Sequence, residues 1–248
     1  MSVHPLARNL VYNSAKTFGK PLGLYPFPRT YRRHLLNILQ RLQLGCVLDV
    51  GAHYGEWGQI LRGIGYKGMI VSFEPVSASF ERLQKSAADD SQWHVFPFAL
   101  GAEDTTALIH LYKASDLNSF HQAGSHVNDC FAHHADEVGS ETVKVRRLDS
   151  VFAELNLNGT PRIYLKMDTQ GYDRNVVQGA VGVLDQVIAM QSELPGIRPL
   201  YPEEPDMLAT LTYYRSLGFA PTGFFPLNFE RDNTTVIEFD VVLARFAE

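Results

Sequence analysis

Asp49-Val50-Gly51-Ala52-His53-Tyr54-Gly55 sets an acidic side chain two residues ahead of a glycine and a second glycine shortly after it. Glycine lets main chain approach a ligand closely and turn where other residues cannot. The N–H groups that open a following helix would face the same space. A dinucleotide turn of the form G-x-G-x-x-G fails here, because His53 and Glu56 occupy positions that need glycine. A P-loop is excluded too, since no Lys-Ser or Lys-Thr follows the glycines. Asp49 would repel a pyrophosphate and would suit a cationic amino group, such as that of a methionine moiety, directly or through water. Glu74 stands roughly twenty residues beyond the turn, where a strand-end carboxylate accepts hydrogen bonds from ribose hydroxyls. Together the two features point to a ligand containing adenosine.

Such residues need a scaffold that delivers strand ends to one crevice. Cys46–Val50 is a short apolar run stopped by Gly51; 56–64 suits a helix; Met69–Phe73 is the next strand, ended by Glu74 and Pro75. A helix over 77–87 follows, with Ser77 as its expected N-cap, then a strand over 93–100. Short apolar runs alternating with helices specify an α/β fold with a parallel sheet and crossover helices. Strands are expected at 107–112, 143–148, 162–167 and 187–192, helices at 175–184 and 205–217, and a closing pair of strands at 219–225 and 236–246. Ahead of all this, Leu35, Leu36, Leu39 and Leu42 recur at helical steps over 30–44, with Gly45 as the stop. Pro21, Pro26 and Pro28 rule out one continuous helix before it. Tyr31-Arg32-Arg33-His34 reads as the solvated face of that first helix.

The stretch 115–142 is polar and rich in His, Asp, Asn and Ser, the composition of a functional loop. His121, His126, His133 and His134 lack the HxxxH or HExxH spacing of a metal site, so a lid over the cleft is expected and no metal. The formal net charge of −5 argues against a nucleic-acid partner. Two separated cysteines, Cys46 and Cys130, point to a reducing compartment, and no N-terminal apolar run is long enough for a span or a signal peptide. A cytoplasmic protein without an integral membrane segment is therefore expected. With 248 residues, 45% hydrophobic and 20% charged, the chain is long enough for one large domain without disulfides or metal.

Order and spacing of several pieces resemble the FkbM family of S-adenosylmethionine-dependent methyltransferases: VLDVGAHYG (47–55), SFEP (72–75), FALG (98–101), RLDS (147–150), LKMDTQGYD (165–173), Glu193 and LGF (217–219). LKMDTQGYD is the piece that separates this family from methyltransferases at large. The resemblance covers about residue 46 to the end, which divides the chain into an N-terminal extension and helix (1–45) and a methyltransferase domain (46–248). It implies a Rossmann-like class I sheet of seven strands, mostly parallel with the last antiparallel. It also implies O-methylation of a hydroxyl on a sugar, polyketide or other small-molecule or glycan acceptor. Carried onto this chain, Asp49, Gly51, Ala52, His53 and Gly55 line the methionine half of the cofactor, Glu74 and Pro75 the ribose, and Phe98 and Ala99 the adenine. Asp168 falls near the transferring methyl group. The family usually carries Asn where His53 stands and Glu where Asp173 stands.

Methyl transfer to a neutral alcohol calls for alignment and for a base. Asp168 and then Glu193 are the candidates, as residues expected to end strands at the cleft; Asp168 would equally serve as N-cap of the helix near Tyr172, and Glu193 as a turn residue ahead of Leu194-Pro195. Asn118, Ser119 and Gln170 are candidate acceptor contacts, while Tyr201, Tyr213 and Tyr214 either line the acceptor pocket or pack the last helix. Two rivals remain open at the level of sequence: a catalytically silent binding scaffold on the same fold, and a nicotinamide-dependent oxidoreductase, which the failed glycine spacing disfavours.

Overall fold

The computed structural model describes residues 29–157, 162–230 and 234–246; the prolines of 1–28 lie outside the described residues. Its main body is a seven-stranded sheet. In chain order the sheet uses β1 (Cys46–Val50), β2 (Met69–Phe73), β3 (Trp93–Phe96), β7 (Ile163–Met167), β8 (Val187–Pro195), β9 (Ala220–Phe229) and β10 (Val236–Ala244). The spatial order is β3-β2-β1-β7-β8-β10-β9. The first five named in that order run parallel, and β10 is antiparallel to both β8 and β9. This is the expected α/β architecture, a seven-stranded, mostly parallel sheet whose last strand runs antiparallel. Central strands of such a sheet are covered on both faces and read as unbroken apolar runs. β1 and β7 do so, with every residue buried, Asp49 and Lys166 included.

Helices α1 (Arg29–Arg41), α2 (Glu56–Gly63) and α3 (Ser77–Ala87) cover one face. α1 buries Tyr31, Leu35 and Leu39 in the same apolar cluster as Val47, Trp57, Ile70 and Val242. Tyr31 is thus part of the core rather than of a solvated face, and His34 reaches Thr222 at 3.0 Å. Gly45 is not what stops α1. The helix ends at Arg41 and the chain reverses at Gln43, whose φ is +50°, with Leu44 N donating to Leu39 O at 2.9 Å.

Between β3 and β7 a second, three-stranded sheet rises above the first, ordered β4 (Ala99–Leu100), β6 (Glu137–Arg146), β5 (Thr105–Tyr112). The run expected as one strand over 93–100 is split between the two sheets at Pro97, which has no N–H for a ladder. The stretch 115–142 is not a structureless loop. It holds a 3₁₀ turn at Ser115–Leu117, α4 (Ser125–Phe131), a second turn at Ala132–Ala135 and most of β6. Its small apolar cluster of Tyr112, Leu117, Val127, Leu200 and Tyr201 anchors it to the chain beyond β8.

After the short α5 (Leu148–Val151) and β7 come α6 (Asp173–Gln178) and, past β8, α7 (Met207–Ser216), capped by Asp206 through Ala209 N at 2.8 Å. The helix expected over 175–184 is α6 followed by a 3₁₀ turn at Val181–Gln186; a side chain at Gly179 would overlap the Gly101 carbonyl. Ser77 is the first residue of α3 rather than its N-cap. Its N–H and hydroxyl donate to the Glu141 carboxylate, an anion at a helix N-terminus. Among the described residues no helix is long and apolar enough to cross a membrane.

Candidate cofactor and acceptor cleft

The chain runs β1, β2, β3 to one side and returns to β7 on the other, so β1 and β7 form the switch point at which ligands of open α/β sheets collect. The carboxyl ends of β1, β2 and β7 deliver Gly51, Glu74 and Asp168 to one cleft of about 1230 Å³, counting its open mouth. Of the residues singled out in the sequence, Gly51, His53, Glu74, Pro75, Ala99, Asn118, Ser119, Asp168 and Gln170 line it. The remaining wall comes from Val76, Ile109, residues 114–117, Phe120, Phe131, His134, Asn228 and Glu238, among others.

Gly51 has φ +72°, and a Cβ there would overlap the Asp168 carbonyl oxygen. Glycine therefore serves the closest approach of β1 to β7, where Asp168 N donates to Val50 O at 3.1 Å. The N–H groups of the turn itself are taken up within the fold. Gly51 N and Ala52 N donate to Phe73 O, His53 N to Glu74 Oε2, Tyr54 N to Glu56 Oε2 and Gly55 N to Ala52 O. Buried main-chain donors must be paired, and here the fold pairs them internally. His53 holds φ +51° and stacks on Tyr54 at 3.5 Å. Its Nε2 and the Tyr54 hydroxyl each lie 2.9 Å from Ser115 Oγ, tying the covering segment to the glycine turn.

Glu74 accepts from His53 N at 2.8 Å and from Val76 N at 2.9 Å. Burial pushes its carboxyl up to about 7, against these two bonds and the nearby His53 and Lys166. The native state thus retains a proton that the unfolded chain releases near the ordinary value of 4.5. That contribution to stability is complete below 4.5 and is lost as pH rises through about 7. Thermal melts of the protein alone between pH 5 and 8 are expected to show this loss together with that from Glu204, whose carboxyl is pushed by burial up to about 8, and Glu74→Gln is expected to reduce the slope over that window. An unchanged profile would show that Glu74 is not a titrating group.

Several expected cofactor contacts stand behind the wall instead. Phe98 packs its ring against Phe73 and Phe96, Ala52 belongs to the core under α1 and α2, and Gly55 faces Leu83, Ser86 and Trp93. Asp49 is fully buried, accepts from Ser72 Oγ at 3.2 Å and pairs with Lys166 Nζ at 3.1 Å. Lys166 is the residue that sequence reasoning missed. Its ammonium also lies 3.6 Å from Asp168 Oδ2 and donates to Gly51 O at 3.4 Å. Burial opposes its charge, but Asp49 and Asp168 outweigh burial and hold it protonated well above the usual lysine range. A lysine in the middle of an apolar strand was the available signal; Asn228 and Glu238, from β9 and β10, left none.

Asp168 keeps 44% of its side-chain surface, in the cleft, and does not cap α6. That helix has Tyr172 at its N-cap with no side-chain cap bond. Glu193 does not end its strand: β8 runs on to Pro195, and Glu193 is buried behind Gln170, outside the cleft lining. Asp173, shorter than the family's usual residue, is nonetheless fully engaged. It accepts from Thr169 N and Oγ1, Ser192 Oγ and Glu193 N, which fastens the 168–173 turn to β8. Tyr201 is buried behind Gln170 and bonds its amide oxygen, while Tyr214 bonds Ser192 in the core and Tyr213 lies under Arg174. The loop histidines disperse: His121 faces Glu203, His126 faces Cys130, and His133 packs on His134. Among the described residues no three His, Cys, Asp or Glu gather to hold a metal.

A family model described as a methyltransferase FkbM domain matches residues 49–220. No curated protein matches the chain. Similar solved structures include a putative RNA methyltransferase from Pyrococcus horikoshii, 14% identical over 98% of each chain with a TM-score of 0.44. An rRNA methylase from Streptococcus thermophilus is 11% identical over 90% of this chain and 99% of that one, with a TM-score of 0.46. An O-methyltransferase from neocarzinostatin biosynthesis, solved with S-adenosyl-L-homocysteine and 1,4-dihydroxy-2-naphthoic acid, is 9% identical over 87% of this chain and 57% of that one, with a TM-score of 0.40.

Proposed function

Because the chain belongs to the FkbM methyltransferase family, we propose that it uses S-adenosylmethionine to O-methylate a hydroxyl of a sugar, polyketide or other small-molecule or glycan acceptor in the cytoplasm. The observation that carries this reading is the meeting of Gly51 and Glu74 in one cleft, with the half-exposed carboxylate of Asp168 beside them. When bound, S-adenosylmethionine supplies a methyl group activated by positively charged sulfur. The residues present fit it. At Gly51 a side chain would fill the space at the strand crossing, Glu74 is a carboxylate ready to accept ribose hydroxyls, and Val76, Ala99, Leu100 and Ile109 offer an apolar wall to a purine. Asp49 and Lys166 lie beneath the turn and act on the methionine half through it.

Asp168 faces the acceptor and takes up its hydroxyl proton or orients it; Glu193, behind Gln170, supports Asp168 from the core. The cleft's acidic lining is Glu74, Asp116, Asp168 and Glu238, and among the described residues lining it none is Lys or Arg. Nucleic-acid recognition rests on cations that neutralise phosphates, so this lining supports an acceptor without phosphates.

S-adenosylhomocysteine at about 100-fold over its dissociation constant is expected to raise the melting temperature by about 5–10 °C, and NAD to leave it unchanged. A shift with NAD alone would replace this reading with a redox one. Radiolabelled methyl transfer to a panel of polyhydroxylated small molecules and to RNA then tests the acceptor class; label found only on RNA would overturn the small-molecule or glycan assignment.

A further inference from the structure

Gln170 stands between Asp168 and Glu193. Its Nε2 donates to Asp168 Oδ1 at 3.2 Å and to Glu193 Oε2 at 2.8 Å. Only the nitrogen end of an amide can face two carboxylates, since the oxygen end is purely an acceptor. The oxygen therefore points away, toward Tyr201. The phenol of Tyr201 lies 3.2 Å from Gln170 Oε1 and 3.2 Å from the main-chain oxygen of Leu117, so one proton is shared between two acceptors. Leu117 belongs to the segment that covers the cleft. Tyr201 is 1% exposed, and burial, reinforced by Glu238 and Glu204, raises its phenol well above the ordinary value and keeps it a donor.

The backbone of this turn is shaped around the same contact. Gln170 holds φ +51°, a conformation uncommon outside glycine. Ser119 Oγ donates to its carbonyl at 2.7 Å. Gly171 follows at φ +87°, and a Cβ there would come within 3.0 Å of the Tyr201 ring. Without the phenol O–H the far end of the Gln170 amide loses its anchor, and its terminal torsion is soft. Asp168 Oδ1 would then lose the bond that holds it from the Gln170 side, while its contact with Lys166 at 3.6 Å stays.

We propose that Tyr201 is a positioning residue: through Gln170 it aims the Asp168 carboxylate at the point of methyl delivery, and through Leu117 it couples that aim to the covering segment. This rests on the cofactor reading above. The catalytic group remains Asp168, and Tyr201 acts on it at one remove.

Two cofactor analogues separate aim from architecture. Sinefungin carries an amine-bearing carbon in place of the methylsulfonium, so its ammonium takes the position of the methyl group; S-adenosylhomocysteine has no charge there. Calorimetry at pH 7 is expected to show Tyr201→Phe weakening sinefungin about 5–10-fold, on the scale of one ordinary hydrogen bond, with S-adenosylhomocysteine held within about twofold. Equal loss for both compounds, or no loss for either, would overturn the proposal. Should Tyr201→Phe fail to melt cooperatively, Gln170→Met breaks the same chain with the phenol retained and must show the same selective loss. Failure of the wild-type protein to bind either compound would overturn the cofactor reading itself, and the role of Tyr201 with it.

Discussion

Asp168→Asn is expected to lower turnover by about 10²–10⁴-fold, the range for losing a positioned base, while leaving the melting temperature nearly unchanged. The substitution keeps the shape of the side chain and removes its charge and its basicity. Little of the fold depends on that charge. Asp168 is 44% exposed and its contact with Lys166 spans 3.6 Å. Lys166 retains Asp49 at 3.1 Å and the Gly51 carbonyl at 3.4 Å. Affinity for S-adenosylhomocysteine is therefore expected to hold, so that the loss appears in the catalysed step. Single-turnover transfer of labelled methyl to whichever acceptor the panel identifies checks this. Full activity in the variant would remove Asp168 from the chemistry.

Gly51→Ala is expected to abolish measurable cofactor association and to cost about 3 kcal/mol of stability, or roughly 6–12 °C in melting temperature for a chain of this size. Two effects add. The residue holds φ +72°, which disfavours any side chain, and its Cβ would overlap the carbonyl oxygen of Asp168. Relief requires β1 and β7 to part just beyond the bond from Asp168 N to Val50 O at 3.1 Å. That movement displaces Asp168 and the glycine turn together. Gly65→Ala is the matched control, because it shares a positive φ, +93°, but has nothing within 4 Å of its Cβ. If both variants melted alike and Gly51→Ala still bound S-adenosylhomocysteine, the close crossing would have no functional weight.

The strands β1, β2, β7 and β8 were legible because burial on both faces makes a central parallel strand continuously apolar. The covering segment was not. α4 is seven residues long, too short to show a helical period, and the first half of β6 is largely exposed and therefore polar. The split of 93–100 turned on Pro97 and on which sheet could accept Ala99 and Leu100, a question of pairing that no local run answers.

At the site the same division holds. Gly51 and Glu74 announced themselves because their chemistry is local: a backbone conformation, and a carboxylate closing a strand. Asp49 carried an equally strong local signal and Phe98 a place in the family resemblance, yet tertiary contacts turn one toward Lys166 and the other into an aromatic cluster.

From its sequence alone the chain determined its alternating α/β order, its family and the strand ends at which a ligand must collect, since periodicity and backbone demands are written over a few neighbouring residues. Only the tertiary structure decided which of those side chains reach the cleft, that a buried lysine braces two aspartates, and that Tyr201, Asn228 and Glu238 join residues far from them in the chain. Contacts of that kind depend on register and packing between distant segments, and no stretch of sequence holds both partners at once.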